Sequence, residues 1–311
     1  MNIILSDKEL NIEEFGSDVI VKRISYKTLD EYKNNADVVA IAGSRAMAIK
    51  AVNMNFPSLK LFQLTSAGFD GVPNERYASK GILVANAGSV YSAPIAETVV
   101  FGILSVAKKL HKNPNNRHLK LQRHYNTITE LADKKVLIMG AGNIGTAVAN
   151  RLIGFEMHID GYDLFCQQKP QYGHIIRNRM ELLSMIGQYD YIVSTLPDNE
   201  QTKKFINMEL FQKMKKTAVI VNVGRRAVFN EDDFYNALKN NVIGGAVLDM
   251  FEKIPNPIQN KFRRLNNVIV LPGVAAISQE VNDRLKIHMT RNIVALLNGN
   301  EISNVINQAK M

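Results

Sequence analysis

The 311-residue chain carries a formal net charge of +9, is 46% hydrophobic and 22% charged, and has a single cysteine. This is the composition of a globular protein of about two domains. It excludes an intramolecular disulfide framework and leaves no run near the roughly 18 apolar residues of a membrane span, Thr98–Ala107 being the nearest. The opening MNIILSDKEL reaches charges at Asp7 and Lys8, too soon for the apolar core of a secretory signal, so a cytoplasmic location is expected.

In chain order, strand-like runs fall at Ile3–Leu5, Val19–Lys22, Val38–Ala42, Leu59–Leu64 and Ile82–Ala85. Helical patterning at Thr28–Asn34 and Ala46–Asn53 separates some of them. Such alternation predicts a small parallel sheet flanked by helices. Ala93–Leu110 then reads as one long helix with Ser92 as N-cap and Pro94 in its first turn.

Basic residues gather at His111–His124, Lys213–Lys216, Arg225–Arg226 and Lys261–Arg264. With few aromatics among them and no nucleic-acid motif, they read as a solvated surface that attracts small anions, and no nucleic-acid partner is expected. His111, His118 and His124 match no metal-ligand spacing, and no metal is expected.

At Lys135 the alternation restarts, and here the sequence is most specific. The run Val136-Leu137-Ile138-Met139 leads into Gly140-Ala141-Gly142-Asn143-Ile144-Gly145, then a helix-like segment, then a strand from Met157 to Tyr162 closed by Asp163. Gly140 permits the tight turn, Gly142 lets backbone approach a pyrophosphate, and Gly145 lets the helix pack on the strand. The helix N-terminus offers partial positive charge to phosphates. A carboxylate at Asp163 suits the ribose hydroxyls and repels a 2′-phosphate, which predicts NAD rather than NADP. Cys166, just beyond, reads as a small half-buried residue with no base to activate it. Further strands are predicted at Tyr191–Thr195, Ala218–Val223, Gly245–Asp249 and Val268–Leu271. Helices are predicted at Glu209–Lys213, Asp232–Lys239 and Gln279–Leu297, the last returning to the first domain.

Taken together, the chain resembles the NAD-dependent D-isomer-specific 2-hydroxyacid dehydrogenases. The resemblance rests on Gln63-Leu64-Thr65-Ser66-Ala67-Gly68-Phe69-Asp70, on Asn86–Glu97, on the glycine fingerprint, and on Leu196-Pro197. It continues through Val221-Asn222-Val223-Gly224-Arg225, Leu248-Asp249-Met250-Phe251-Glu252 and Asn267–Pro272. It implies a Rossmann-type doubly wound domain over 98–281, inserted into a smaller flavodoxin-like α/β domain formed by 1–97 and 282–311. It also implies a homodimer with the long helix contributing. Ser66, Ala67 and Gly68 would hold a substrate carboxylate through backbone amides. Arg225 would bind that carboxylate and polarise the keto oxygen. Gly140, Gly142, Asn143, Ile144, Gly145, Asp163, Leu196, Pro197, Val223, Gly224 and Asp249 would contact NAD.

The sequence departs from the family at the acid–base pair. Gly273 stands where the family places its catalytic His, and Ile254 where it places the partner Glu. General acid–base help contributes about 10²–10⁴-fold, so weakened hydride transfer to a small 2-keto acid is expected. A catalytically impaired NAD(H)-binding pseudoenzyme acting as a sensor or interaction protein is the alternative. The losses are mutually consistent, because a semi-buried Glu without its His would be left unpaired. Restoring both, Gly273→His with Ile254→Glu, is expected to raise the rate. Arg226 replaces the usual Gly, so the local turn is expected to differ. His288 reads as an ordinary helix residue.

Overall fold

A computed structural model describes residues 1–110, 128–249 and 261–307. His111, His118, His124 and Ile254 lie outside the described residues. The chain separates into two compact units, Met1–Tyr91 with Ser278–Met311, and Ser92–Ile277.

The first unit is built on five parallel strands: β1 (Asn2–Ser6), β2 (Val19–Arg23), β3 (Val38–Gly43), β4 (Leu61–Leu64) and β5 (Leu83–Ala85), in the order β2-β1-β3-β4-β5. This is the flavodoxin-like order. Both faces of the sheet are covered, as parallel strands require. Leu5, Ile41 and Phe62 pack with Met47 and Ala48 of helix α1 (Arg45–Ala51) and with Tyr77 of α2 (Asn74–Ser79). Ile4, Ala40 and Leu61 pack with Leu285, Met289 and Ile293 of the terminal helix, Glu280–Leu297.

Helix α3 runs from Gly88 to Ala107, so it begins well before Ser92, which is not its N-cap. The start is fixed upstream: the Gly88 N–H donates to the Asn86 side chain at 3.0 Å, and the Val90 N–H to the Ala87 carbonyl at 3.0 Å. Pro94 therefore lies inside the helix rather than in its first turn. Among the described residues, α3 alone has the length and apolar composition of a membrane span, yet most of it is buried within the fold.

The second unit carries β6 (Lys135–Met139), β7 (His158–Tyr162), β8 (Ile175–Ile176), β9 (Tyr191–Ser194), β10 (Val219–Asn222), β11 (Gly245–Leu248) and β12 (Val268–Val270). All are parallel, ordered β12-β11-β10-β9-β6-β7-β8, the doubly wound arrangement. Between them lie α4 (Asn143–Ile153), α5 (Arg179–Met185), α6 (Met208–Lys213) and α7 (Glu231–Lys239), and the Glu280–Leu297 helix is α8. Leu137, Ile192 and Ile220 face a core closed by Phe211 of α6 and Phe234 of α7, with Phe234 stacked on Phe229 at 4.7 Å. On the other face, Gly102 of α3 comes so close to Val247 of β11 that a Cβ would lie 2.9 Å from its Cγ1.

Candidate active site

The strand order reverses between β6 and β9, and ligands of doubly wound sheets bind beyond the carboxyl ends of the strands at that point. Gly140, directly after β6, has φ +99°, and a Cβ on it would sit 2.6 Å from Thr195 Oγ1. Thr195 clamps the turn by donating its hydroxyl to the Gly140 carbonyl at 2.9 Å. A Cβ on Gly145 would collide with the Gly140 carbonyl, whereas one on Gly142 would meet nothing within 4 Å. The glycines thus do different jobs: two allow the chain to pack on itself, and Gly142 keeps an open side. Helices α5, α6 and α7 are capped by the side chains of Asn178, Asn207 and Asn230, but α4 has no side-chain cap. The first turn of a helix leaves backbone N–H groups without intrahelical partners. Open space beside an uncapped first turn suits a pyrophosphate, so the residues present fit a dinucleotide.

Asp163 lies at this turn and organises it. One carboxylate oxygen accepts the Ala141 N–H at 2.9 Å, and the other accepts the N–H groups of Phe165 and Cys166, each at 2.9 Å. Lys169 reaches the same turn, donating from Nζ to the Ala141 carbonyl at 2.6 Å and to Thr146 Oγ1 at 2.9 Å. Lys169 and Thr195 escape a sequence reading because only the fold brings them to the glycines.

The neighbouring strand ends are stitched together in order. A Cβ on Gly224 would lie 3.0 Å from the Leu196 carbonyl, so β9 and β10 end in close backbone contact. The Val223 and Gly224 N–H groups donate to the Ser194 carbonyl at 3.2 and 3.0 Å. Leu196 and Val223 are buried there, while Pro197 is exposed. Half-buried Arg225 follows in extended backbone, with φ −114° and ψ 138°. Arg226 then opens a short 3₁₀ turn and is not in the left-handed region, so a side chain is accommodated there without strain. Its guanidinium pairs with Glu231 at the start of α7, with Nε at 2.6 Å from Oε2. Arg226 therefore anchors the segment that carries Arg225.

Asp249 directly follows β11 and is 4% exposed. Its Oδ1 accepts the Val274 N–H at 2.9 Å and its Oδ2 the Ala275 N–H at 3.2 Å. Burial pushes its pKa up, while backbone N–H groups of the 273–275 turn pull the other way. Gly273 lies within this turn at φ +74°, and a Cβ there would meet nothing within 4 Å. This bears on the expected gain from Gly273→His with Ile254→Glu. A histidine would have room, but left-handed backbone costs a non-glycine residue about 1–3 kcal/mol.

In the first unit, the Thr65, Ser66, Ala67 and Gly68 carbonyls are all engaged. They accept from Tyr91 Oη at 2.6 Å, the Ala87 N–H at 3.0 Å, Asn86 Nδ2 at 3.0 Å and Ser66 Oγ at 2.7 Å. No described group accepts from the N–H groups of Ser66, Ala67 or Gly68. A loop with its carbonyls tied back leaves successive amides available to an anion. His288 of α8 supports it from behind, its Nε2 lying 3.0 Å from the Asn86 carbonyl. Burial lowers the pKa of this imidazole, with the bond to Asn86 opposing. Asn292, one turn on, donates to buried Gln63 at 2.6 Å.

The family model for the NAD-binding domain of D-isomer specific 2-hydroxyacid dehydrogenases matches residues 100–275. A glyoxylate reductase of Thermofilum pendens is 30% identical over 250 residues, 78% of this chain and 73% of that protein. The NADPH-dependent glyoxylate/hydroxypyruvate reductase of Sinorhizobium meliloti, solved with NADP and malonate, shares the fold. Its TM-score is 0.72 at 24% identity, over 98% of this chain and 96% of that one. So does an acyclic imino acid reductase solved with NADPH and D-arginine, with TM-score 0.76 at 22% identity over 98% and 99% of the two chains. The chain belongs to the D-isomer specific 2-hydroxyacid dehydrogenase family.

Proposed function

We propose that this protein is an NAD-dependent reductase of small 2-keto acids, slow for want of a proton donor, and a cytoplasmic homodimer. The observation that carries the reading is the succession of loops after β6, β9, β10 and β11: the open glycine turn, the Leu196–Gly224 contact, Arg225 and Asp249. A dinucleotide held along these strand ends supplies hydride. Arg225 offers a planar fork of donors to a carboxylate, and the Ser66–Gly68 amides offer a second anion cradle. Phe101, 57% exposed on α3, gives a second copy an apolar contact. Gly273 and Ile254 favour one other reading, a dinucleotide-binding protein that senses rather than turns over.

Asp163 supports NAD over NADP, since its negative charge at the glycine turn opposes a 2′-phosphate. By calorimetry NADH should bind at least about tenfold more tightly than NADPH, ~1.4 kcal/mol. Equal or reversed affinities would sink that assignment and make Lys169 the dominant charge at the turn. Slow oxidation of NADH by glyoxylate supports the reductase, and binding without turnover of any 2-keto acid supports the sensor.

A further inference from the structure

We propose that the preferred substrate of this site is a 2-imino acid, a carboxylate beside a protonated C=N bond, rather than a 2-keto acid. The inference rests on the reductase reading above and names its substrate class. Reducing a ketone requires a proton at the oxygen as hydride arrives at C2. Reducing an iminium ion does not, because the nitrogen already carries its proton. Hydride forms the C2–H bond, the C=N π pair becomes the nitrogen lone pair, and the resulting amine takes its proton from water afterwards. NADH is the reductant and becomes NAD⁺.

Three features of the 249–275 region fit that chemistry. From Leu265 to Gln279 the chain has no titratable side chain, so the end of β12 supplies no acid. Asp249, which touches this turn, spends both carboxylate oxygens on backbone N–H groups, an arrangement for an acceptor and not for a proton donor. It is nevertheless a buried carboxyl whose pKa burial pushes up, with no described cation paired to it. Buried charge is costly unless compensated, and a cationic substrate compensates it where a neutral ketone does not. Finally, the side-chain direction at Gly273 is open to beyond 4 Å. An imine nitrogen bears a substituent that a carbonyl oxygen lacks, and this is where one would fit.

The test follows NADH consumption at fixed pH with pyruvate alone, with pyruvate plus methylamine, and with pyruvate plus trimethylamine, a tertiary amine that forms no imine. Products are identified by mass spectrometry. Methylamine should raise the rate by at least about 100-fold, the lower end of what a missing general acid withholds from a ketone. The product should be N-methylalanine, with no gain from trimethylamine. Calorimetry on the NAD⁺-loaded protein should show N-methylalanine binding more tightly than lactate. Lactate formed at a rate indifferent to methylamine would overturn the proposal and leave the keto-acid reading standing. No NADH consumption under any condition, with NADH still bound by calorimetry, would overturn both.

Discussion

Replacing Gly142 with valine is expected to leave the fold intact and weaken NADH binding by about 10–100-fold, the ~1–3 kcal/mol of an overpacked contact. Gly142 has φ −73° and ψ −157°, extended backbone open to any residue, and an added Cβ meets no protein atom. Any loss must therefore come from what occupies the open side. Gly145→Ala is the contrasting control. Its Cβ would collide with the Gly140 carbonyl, so that variant should lose thermal stability along with binding. Unchanged NADH affinity in Gly142→Val, by calorimetry on folded protein, would remove the pyrophosphate from this turn.

The second large effect is expected at Arg225. Arg225→Ala should cost about 10²–10³-fold in kcat/KM, the range for deleting one donor that meets developing charge. NADH affinity should be unchanged, because the glycine turn is built independently of this side chain. Arg225→Lys should recover only part of the loss, since an ammonium keeps the charge but not the bidentate fork. Circular dichroism would show that each variant is folded, and steady-state kinetics would separate kcat from KM. A variant as active as wild type would take Arg225 out of the site.

Much of this was legible in the sequence, for identifiable physical reasons. The β6–α4–β7 unit announces itself because its glycines answer local constraints: a positive φ at Gly140 and self-contact at Gly145. The central parallel strands are readable because burial on both faces demands continuous apolar runs. Elements set by side-chain capping were harder. Helix α5 is nucleated by Asn178 accepting the Glu181 N–H at 2.9 Å, a signal present as Asn178-Arg179-Met180-Glu181 but overshadowed by weak apolar periodicity. Helix α3 begins where Asn86 and Ala87 hold its first turn, not at the more conventional Ser92. Contacts across long sequence separations were invisible: Lys169 and Thr195 on the glycine turn, and His288 behind the Asn86 carbonyl. That a glycine stands at 273, where the resemblance expects a His, could be read directly. The left-handed turn that resists replacing it could not.

That turn also shows how best to test the central claim, that the dinucleotide-binding unit presents a turn at Gly273 where no described residue from Leu265 to Gln279 can donate a proton. Substitution at Gly273 perturbs the backbone, but the open space beside it allows an acid to be supplied from solution. The decisive measurement is the rate of NADH-dependent glyoxylate reduction by the wild-type protein at fixed pH and ionic strength, across increasing imidazole buffer. A low starting rate that rises in proportion to imidazolium concentration is expected. A fast rate that ignores the buffer would mean that the protein holds its own proton donor, and would contradict that claim.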